Sequence, residues 1–172
     1  EIDAAEKGEL PTLLHLRDIK GDLQMHTRAS DGKASVVEMA KAARERGYLY
    51  ILVTDHSKSV TIANGLSEKR AIEYLEEIRA ARKIVTGIEI WAGMEVDILG
   101  DGSMDMPDGI LKQLDIVLAT IHSRMNMARN EMTARILKAL NNPYVKIFGH
   151  PTGRQLLRRD PYQFDMDKIF DA

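Results

Sequence analysis

The strongest constraint on this chain is a pattern that occurs five times: a short run with strand character, then a polar turn, then a stretch with helical spacing. The runs end at Leu23–His26 and cover Leu49–Val53, Ile88–Asp97, Asp115–Ile121 and Tyr144–Phe148. The apolar, β-branched run Leu49–Val53 suits a strand buried on both faces, and strands alternating with helices imply a parallel sheet, open or closed into a barrel. Ser35 followed by Glu38 is a capping-box start for a helix over about 36–46, which stops at Gly47. Ser67 caps a second helix running to about Arg82, with Ala71, Ile72, Leu75 and Ile78 turned inward and Glu73, Glu76, Glu77 and Arg79 outward. Pro107 opens a short helix carrying Ile110, Leu111 and Leu114, another helix spans about 131–140 before Asn141-Asn142-Pro143, and a last one starts around Asp165. Residues 1–17 read as a short charged helix and a linker broken at Gly8-Glu9-Leu10-Pro11.

What ends the strands matters more than the strands. His26, His56, His122 and His150 stand at strand carboxyl ends, Glu95 lies near the end of the third, and only His15 falls elsewhere. Chemistry in α/β folds gathers at those ends. Alternation along a strand puts Asp22, Gln24 and His26 on one face and Glu95 with Asp97 on one face of theirs. Asp31, in the turn Ser30-Asp31-Gly32, can fold back toward His26. If the strands are neighbours, His26, Asp31, His56, Glu95, His122 and His150 converge on one mouth. Six such ligands exceed the need of one tetrahedral ion, so two or more divalent ions are expected, with Glu95 between them. Imidazole mixed with carboxylate suits zinc, manganese or iron. The absence of cysteine excludes thiolate sites and a cysteine nucleophile. A paired-ion site hydrolyses phosphate esters without any side-chain nucleophile.

Cations for a phosphate follow the same turns. Lys58, Arg124 and Arg154 are the candidates, and Arg158 and Arg159 are either further phosphate contacts or a solvated loop. Asp22, Asp55 and Asp97 are read as carboxylates that orient imidazoles, and Asp55 and Arg124 are the candidate catalytic side chains. A formal charge of −2 leaves no broad attraction to nucleic acid, so affinity for an anionic partner has to be local. No apolar run is long enough for a membrane span, and a cytoplasmic location is the expectation.

Gly21-Asp22-Leu23-Gln24-Met25-His26, Ser30-Asp31-Gly32, Thr54-Asp55-His56, Gly93-Met94-Glu95, Ile121-His122-Ser123 and Gly149-His150-Pro151 resemble the signatures of the PHP (polymerase and histidinol phosphatase) superfamily. Asp55-His56-Ser57-Lys58-Ser59, Ala63-Asn64-Gly65-Leu66 and His150-Pro151-Thr152-Gly153-Arg154 with Arg158-Arg159 are similar to the PHP domain attached to family-X DNA polymerases, and the segment from Leu10-Pro11 to Leu23 looks like its junction with the polymerase. The resemblance implies a distorted TIM-like (β/α)₇ barrel over residues 18–172. It also implies two or three divalent ions, manganese or zinc or iron, and 3′→5′ exonuclease or related 3′-end phosphodiesterase activity on DNA. The ligands it implies are His26, Asp31, His56, Glu95, His122 and His150. Two departures stand out. Gln24 replaces the first histidine of the superfamily's His-x-His, and only the first five βα units are present, so a truncated barrel with an incomplete metal site is expected. A histidinol-phosphatase-like phosphomonoesterase and a non-catalytic module supporting a polymerase are the alternative readings.

Overall fold

The structure is a computed structural model and describes residues 1–172. Its strands are β1 (Gly21–Met25), β2 (Tyr50–Val53), β3 (Glu89–Asp97), β4 (Ile116–Thr120) and β5 (Val145–Phe148). They lie side by side in chain order, and every neighbouring pair is parallel. The helices are α1 (Ile2–Glu6), α2 (Val36–Glu45), α3 (Glu68–Ile84), α4 (Asp108–Leu111), α5 (Arg129–Leu140) and α6 (Met166–Phe170). Ser35 and Glu38 form the expected reciprocal cap on α2, and the Ser67 side chain accepts from the Arg70 N–H at the start of α3.

Strand order and core composition decide the architecture. On β2 and β3, Ile51, Val53, Ile90, Ala92, Met94 and Val96 pack with residues of α2, α3 and α4 in one core. On β4, Ala119 and, just beyond its end, Ile121 pack with Met132, Ile136 and Ala139 of α5 in a second. The crossover helices therefore cover the same side of the sheet, and the strand order never reverses. A doubly wound sheet reverses its order at a switch point, whereas a one-sided, sequential sheet is the barrel type. The fold is thus α/β, with five parallel strands forming part of a TIM-like barrel and β1 and β5 at its two edges. No helix is long and apolar enough to cross a membrane.

Two local expectations are corrected. Ile72 is 49% exposed, while Tyr74 takes the inward position with 2%. The buried stripe of α3 is Ala71, Tyr74, Leu75, Ile78 and Ala81, and Ile72 lies about 100° round the helix from Ala71. In β1, Asp22 pairs with Ile51 but Met25 pairs with Val53, three residues on one strand against two on the other. This bulge breaks the alternation. Asp22 therefore lies on the helix side, where it lines a hollow with Met25, Met39 and Tyr48, and does not share a face with His26.

Candidate metal centre

The site is built on the sheet face that carries no helices. Glu95 and Asp97 alternate onto that face from β3, and both are 1% exposed. Strand pairing continues beyond β2, where His56 bridges to Glu95 through the Ser57 N–H donating to the Glu95 carbonyl at 3.0 Å. His122 follows Thr120, which pairs with Asp97, and His150 follows Phe148, which pairs with Ala119. His150 has a φ of 27°, at the edge of the left-handed region that side-chain-bearing residues seldom occupy, so its backbone turn is held against a local preference.

These three imidazoles and that of His26, from the end of β1, all meet one carboxylate. His150 Nε2 donates to Glu95 Oε1 at 2.8 Å, and His122 Nε2 stands 3.3 Å from the same oxygen. Glu95 Oε2 has His26 Nε2 at 3.0 Å and His56 Nδ1 at 3.4 Å. Neither contact is an aligned hydrogen bond, and Glu95 Oε2 and His56 Nδ1 are both buried without a hydrogen-bond partner. Asp31 joins from the turn, with Oδ1 2.9 Å from His26 Nδ1 and Oδ2 3.7 Å from His56 Nε2. On the other side the Nδ1–H of His122 donates to Asp97 Oδ1 at 2.5 Å. That bond sets the ring orientation and leaves Nε2 facing Glu95.

The electrostatics ask for positive charge. Burial works to lower the pKa of His26, but the Glu95 and Asp31 carboxylates on either side of its ring prevail and push it up to about 9. His122 is likewise pushed up to about 9, against burial, by Asp97 and Glu95. His56 moves the other way, chiefly because burial disfavours its charged form. Burial works to raise the Glu95 carboxyl, yet the imidazoles of His122, His150 and His26 beside it hold it well below the usual carboxylate range. A divalent cation can replace such protons. The donor set fits one: His26, Asp31 and His56 offer one group of ligand atoms within 4.8 Å of one another, and His56, Glu95 and His122 offer a second. The groups share His56, and the partnerless Glu95 Oε2 and His56 Nδ1 belong to residues of the second.

The six residues expected to converge are therefore together, and Asp97 orients His122 as expected. Asp55 does not contact an imidazole. It is fully buried, and its carboxylate accepts from the backbone N–H groups of Thr27 and Ser30 at 2.9 and 3.0 Å and from their hydroxyls at 2.8 and 2.6 Å. It thereby fixes the 26–31 turn that presents His26 and Asp31. The reason is spatial: β1 and β2 are adjacent, so the residue before His56 lies under the turn after His26, where four donors outcompete a ring nitrogen. Thr27 and Ser30 escaped the sequence reading, although hydroxyl residues flanking a candidate ligand are the available signal. Gln24 is exposed.

No hydrogen bond or ion pair joins Lys58, Arg124 or Arg154 to the cluster. Lys58 pairs with Glu68 at 3.1 Å, Arg124 lies against Gly100 beyond the end of β3, and Arg154 is exposed on the loop after His150. Arg135, also missed, is 2% exposed and donates to the carbonyls of Ile98, Leu99 and Ser123, tying the loops after β3 and β4 together. An arginine on a helix carries no sequence signal for such a role.

The PHP domain family model matches residues 22–165. The chain is 42% identical over 159 residues to the DNA polymerase/3′-5′ exonuclease PolX of Bacillus subtilis (strain 168), covering 92% of this chain and 28% of that protein. It is 34% identical over 158 residues to a probable phosphatase of Thermoanaerobacter sp. (strain X514), covering 88% of this chain and 59% of the relative. A probable phosphatase of Acetivibrio thermocellus is 31% identical over 155 residues, again 88% of this chain and 59% of the relative. The chain thus spans between about a quarter and three fifths of these relatives' lengths. With the ligand cluster at the carboxyl ends of sequential parallel strands, these matches place the chain in the PHP domain family.

Proposed function

We propose that this chain carries the metal centre of a phosphodiesterase that removes nucleotides from DNA 3′ ends, and that it serves alongside a family-X polymerase domain. The observation that carries the reading is Glu95, a buried carboxylate ringed by four imidazoles, with one oxygen and the facing His56 nitrogen left without partners. His26, Asp31 and His56 would hold one ion, and His56, Glu95 and His122 a second, with His150 beside Glu95. What such ions supply when bound is polarisation of phosphoryl oxygens and a lowered pKa for water. The chain's own residues do the positioning. Asp97 holds His122 in one orientation, Asp55 pins the turn that presents His26 and Asp31, and the sheet sets Glu95 1% exposed beneath the open mouth. Arg154, exposed on the loop after His150, is the cation proposed to meet the phosphodiester.

Chelation, reloading with manganese or zinc, and incubation with 5′-labelled single-stranded DNA test this. Stepwise shortening from the 3′ end is expected, with Glu95→Gln inactive. Failure to take up metal, or metal uptake with no DNA cleavage, refutes it. The similarity to probable phosphatases favours a second reading, a phosphomonoesterase of small esters. Release of inorganic phosphate from such esters without nucleotide release would decide for it.

A further inference from the structure

The loop after β5 carries a feature that the metal centre does not use. Residues 155–159 close a small hairpin: Gln155 and Arg159 form an antiparallel bridge, with the Gln155 N–H donating to the Arg159 carbonyl at 2.9 Å and the Arg158 N–H to the Gln155 carbonyl at 3.0 Å. Its base is anchored. The Gly153 N–H donates to the His150 carbonyl at 3.0 Å, and Arg159 Nε donates to the Gly153 carbonyl at 2.8 Å. Gly153, at φ 58°, lies against the ring of Tyr162, whose 6% exposure makes it a buried wedge under the hairpin. The tip is the opposite of buried: Leu156 is 73% exposed and Leu157 106%. Leu157 also takes a left-handed φ of 62°, which a leucine adopts only against its preference. Arg154, Arg158 and Arg159 are all exposed, and none pairs with an acid.

An anchored, cationic hairpin with an apolar tip, hung from a metal-ligand strand end on a chain of net charge −2, matches one kind of partner by charge and by surface. Phosphates take the free guanidinium groups, and a base face takes the leucines; apolar side chains inserted against bases are a recurrent device. We infer that the 154–159 hairpin is a strand-binding finger, in which Arg154 and Arg158 contact phosphates of a single nucleic-acid strand and Leu156 and Leu157 pack on a base beside the metal centre. The inference rests on the proposed DNA-end activity for its choice of substrate, but its test does not need cleavage.

Binding of a short fluorescent single strand is measured by anisotropy with the chain held in chelator, across a range of salt, beside an otherwise identical abasic strand. The double variant L156A/L157A is expected to bind the normal strand about tenfold more weakly and to lose the preference for normal over abasic DNA. R158A should keep that preference and reduce the slope of log affinity against log salt by about 0.7. Unchanged thermal midpoints, expected for tip substitutions, show that the variants fold. Equal affinity of L156A/L157A and wild type for the normal strand, or a wild type indifferent to the missing bases, overturns the inference. A manganese-loaded chain that binds DNA through the finger but never cleaves it would defeat the proposed activity and leave the finger standing.

Discussion

Replacing Asp55 separates a role in holding the metal-site turn from a role in acting on substrate. The Asp55 carboxylate is fully buried and accepts two backbone N–H and two hydroxyl hydrogen bonds, with no imidazole or cation paired to it. In Asp55→Ala the hydroxyls can find other partners, since Thr27 Oγ1 already accepts from the Ala29 N–H and Ser30 Oγ is 3.3 Å from Asp31. The Thr27 N–H cannot, while the Ser30 N–H keeps only its longer bond to the Thr27 carbonyl at 3.2 Å. Each loses a bond to a charged group, worth about 1.5–3 kcal/mol, and the Thr27 N–H is left buried without a partner. Relief from no longer burying the carboxylate offsets part of this, giving a net loss of about 3 kcal/mol. In Asp55→Asn the remaining oxygen still serves both N–H groups, the new amide faces Thr27 Oγ1, which can turn to accept, and only charge assistance is lost, about 1 kcal/mol. Urea unfolding of the chelated chain measures both, read as a lowered midpoint at unchanged slope. Metal affinity should fall alongside stability in the alanine variant, because His26 and Asp31 ride on the freed turn. An alanine variant as stable as wild type, or an asparagine variant as damaged as alanine, would refute the argument.

Asp97→Asn keeps the contact to His122 but removes its charge, so metal affinity measured by chelator competition should drop about 10- to 100-fold, and the unfolding midpoint of the chelated chain should fall at neutral pH, where the pair is charged, with the difference vanishing as pH rises past the His122 value of about 9. Arg135→Met strips donors from the carbonyls of Ile98, Leu99 and Ser123 and should cost about 2–4 kcal/mol by denaturant unfolding; a shift within error would show that water serves those carbonyls equally well. Two glycine substitutions should have opposite signs. In Gly93→Ala the new methyl would sit 2.6 Å from Leu52 Cδ1 and 2.9 Å from the Val53 carbonyl, destabilising by about 1–3 kcal/mol. In Gly109→Ala, within α4, it meets nothing within 4 Å and should stabilise by about 0.5–1 kcal/mol, both read from thermal midpoints.

The amino-acid sequence by itself determined the strand and helix succession, the Ser35–Glu38 capping box, the Ser67 cap and the convergence of His26, Asp31, His56, Glu95, His122 and His150. These follow from local rules: a period of two or 3.6 is a property of the backbone, and parallel strands bring their carboxyl ends together whatever their loops do. Tertiary structure alone decided the rest. The β1 bulge turned Asp22 away from His26, and the adjacency of β1 and β2 gave Asp55 four donors in place of an imidazole. Arg124 came to lie on Gly100, and Arg135 came to bind three carbonyls from two loops. Each of these depends on which distant atoms arrive beside a side chain, and register shifts and packing, unlike periodicity, are settled only when the whole sheet assembles.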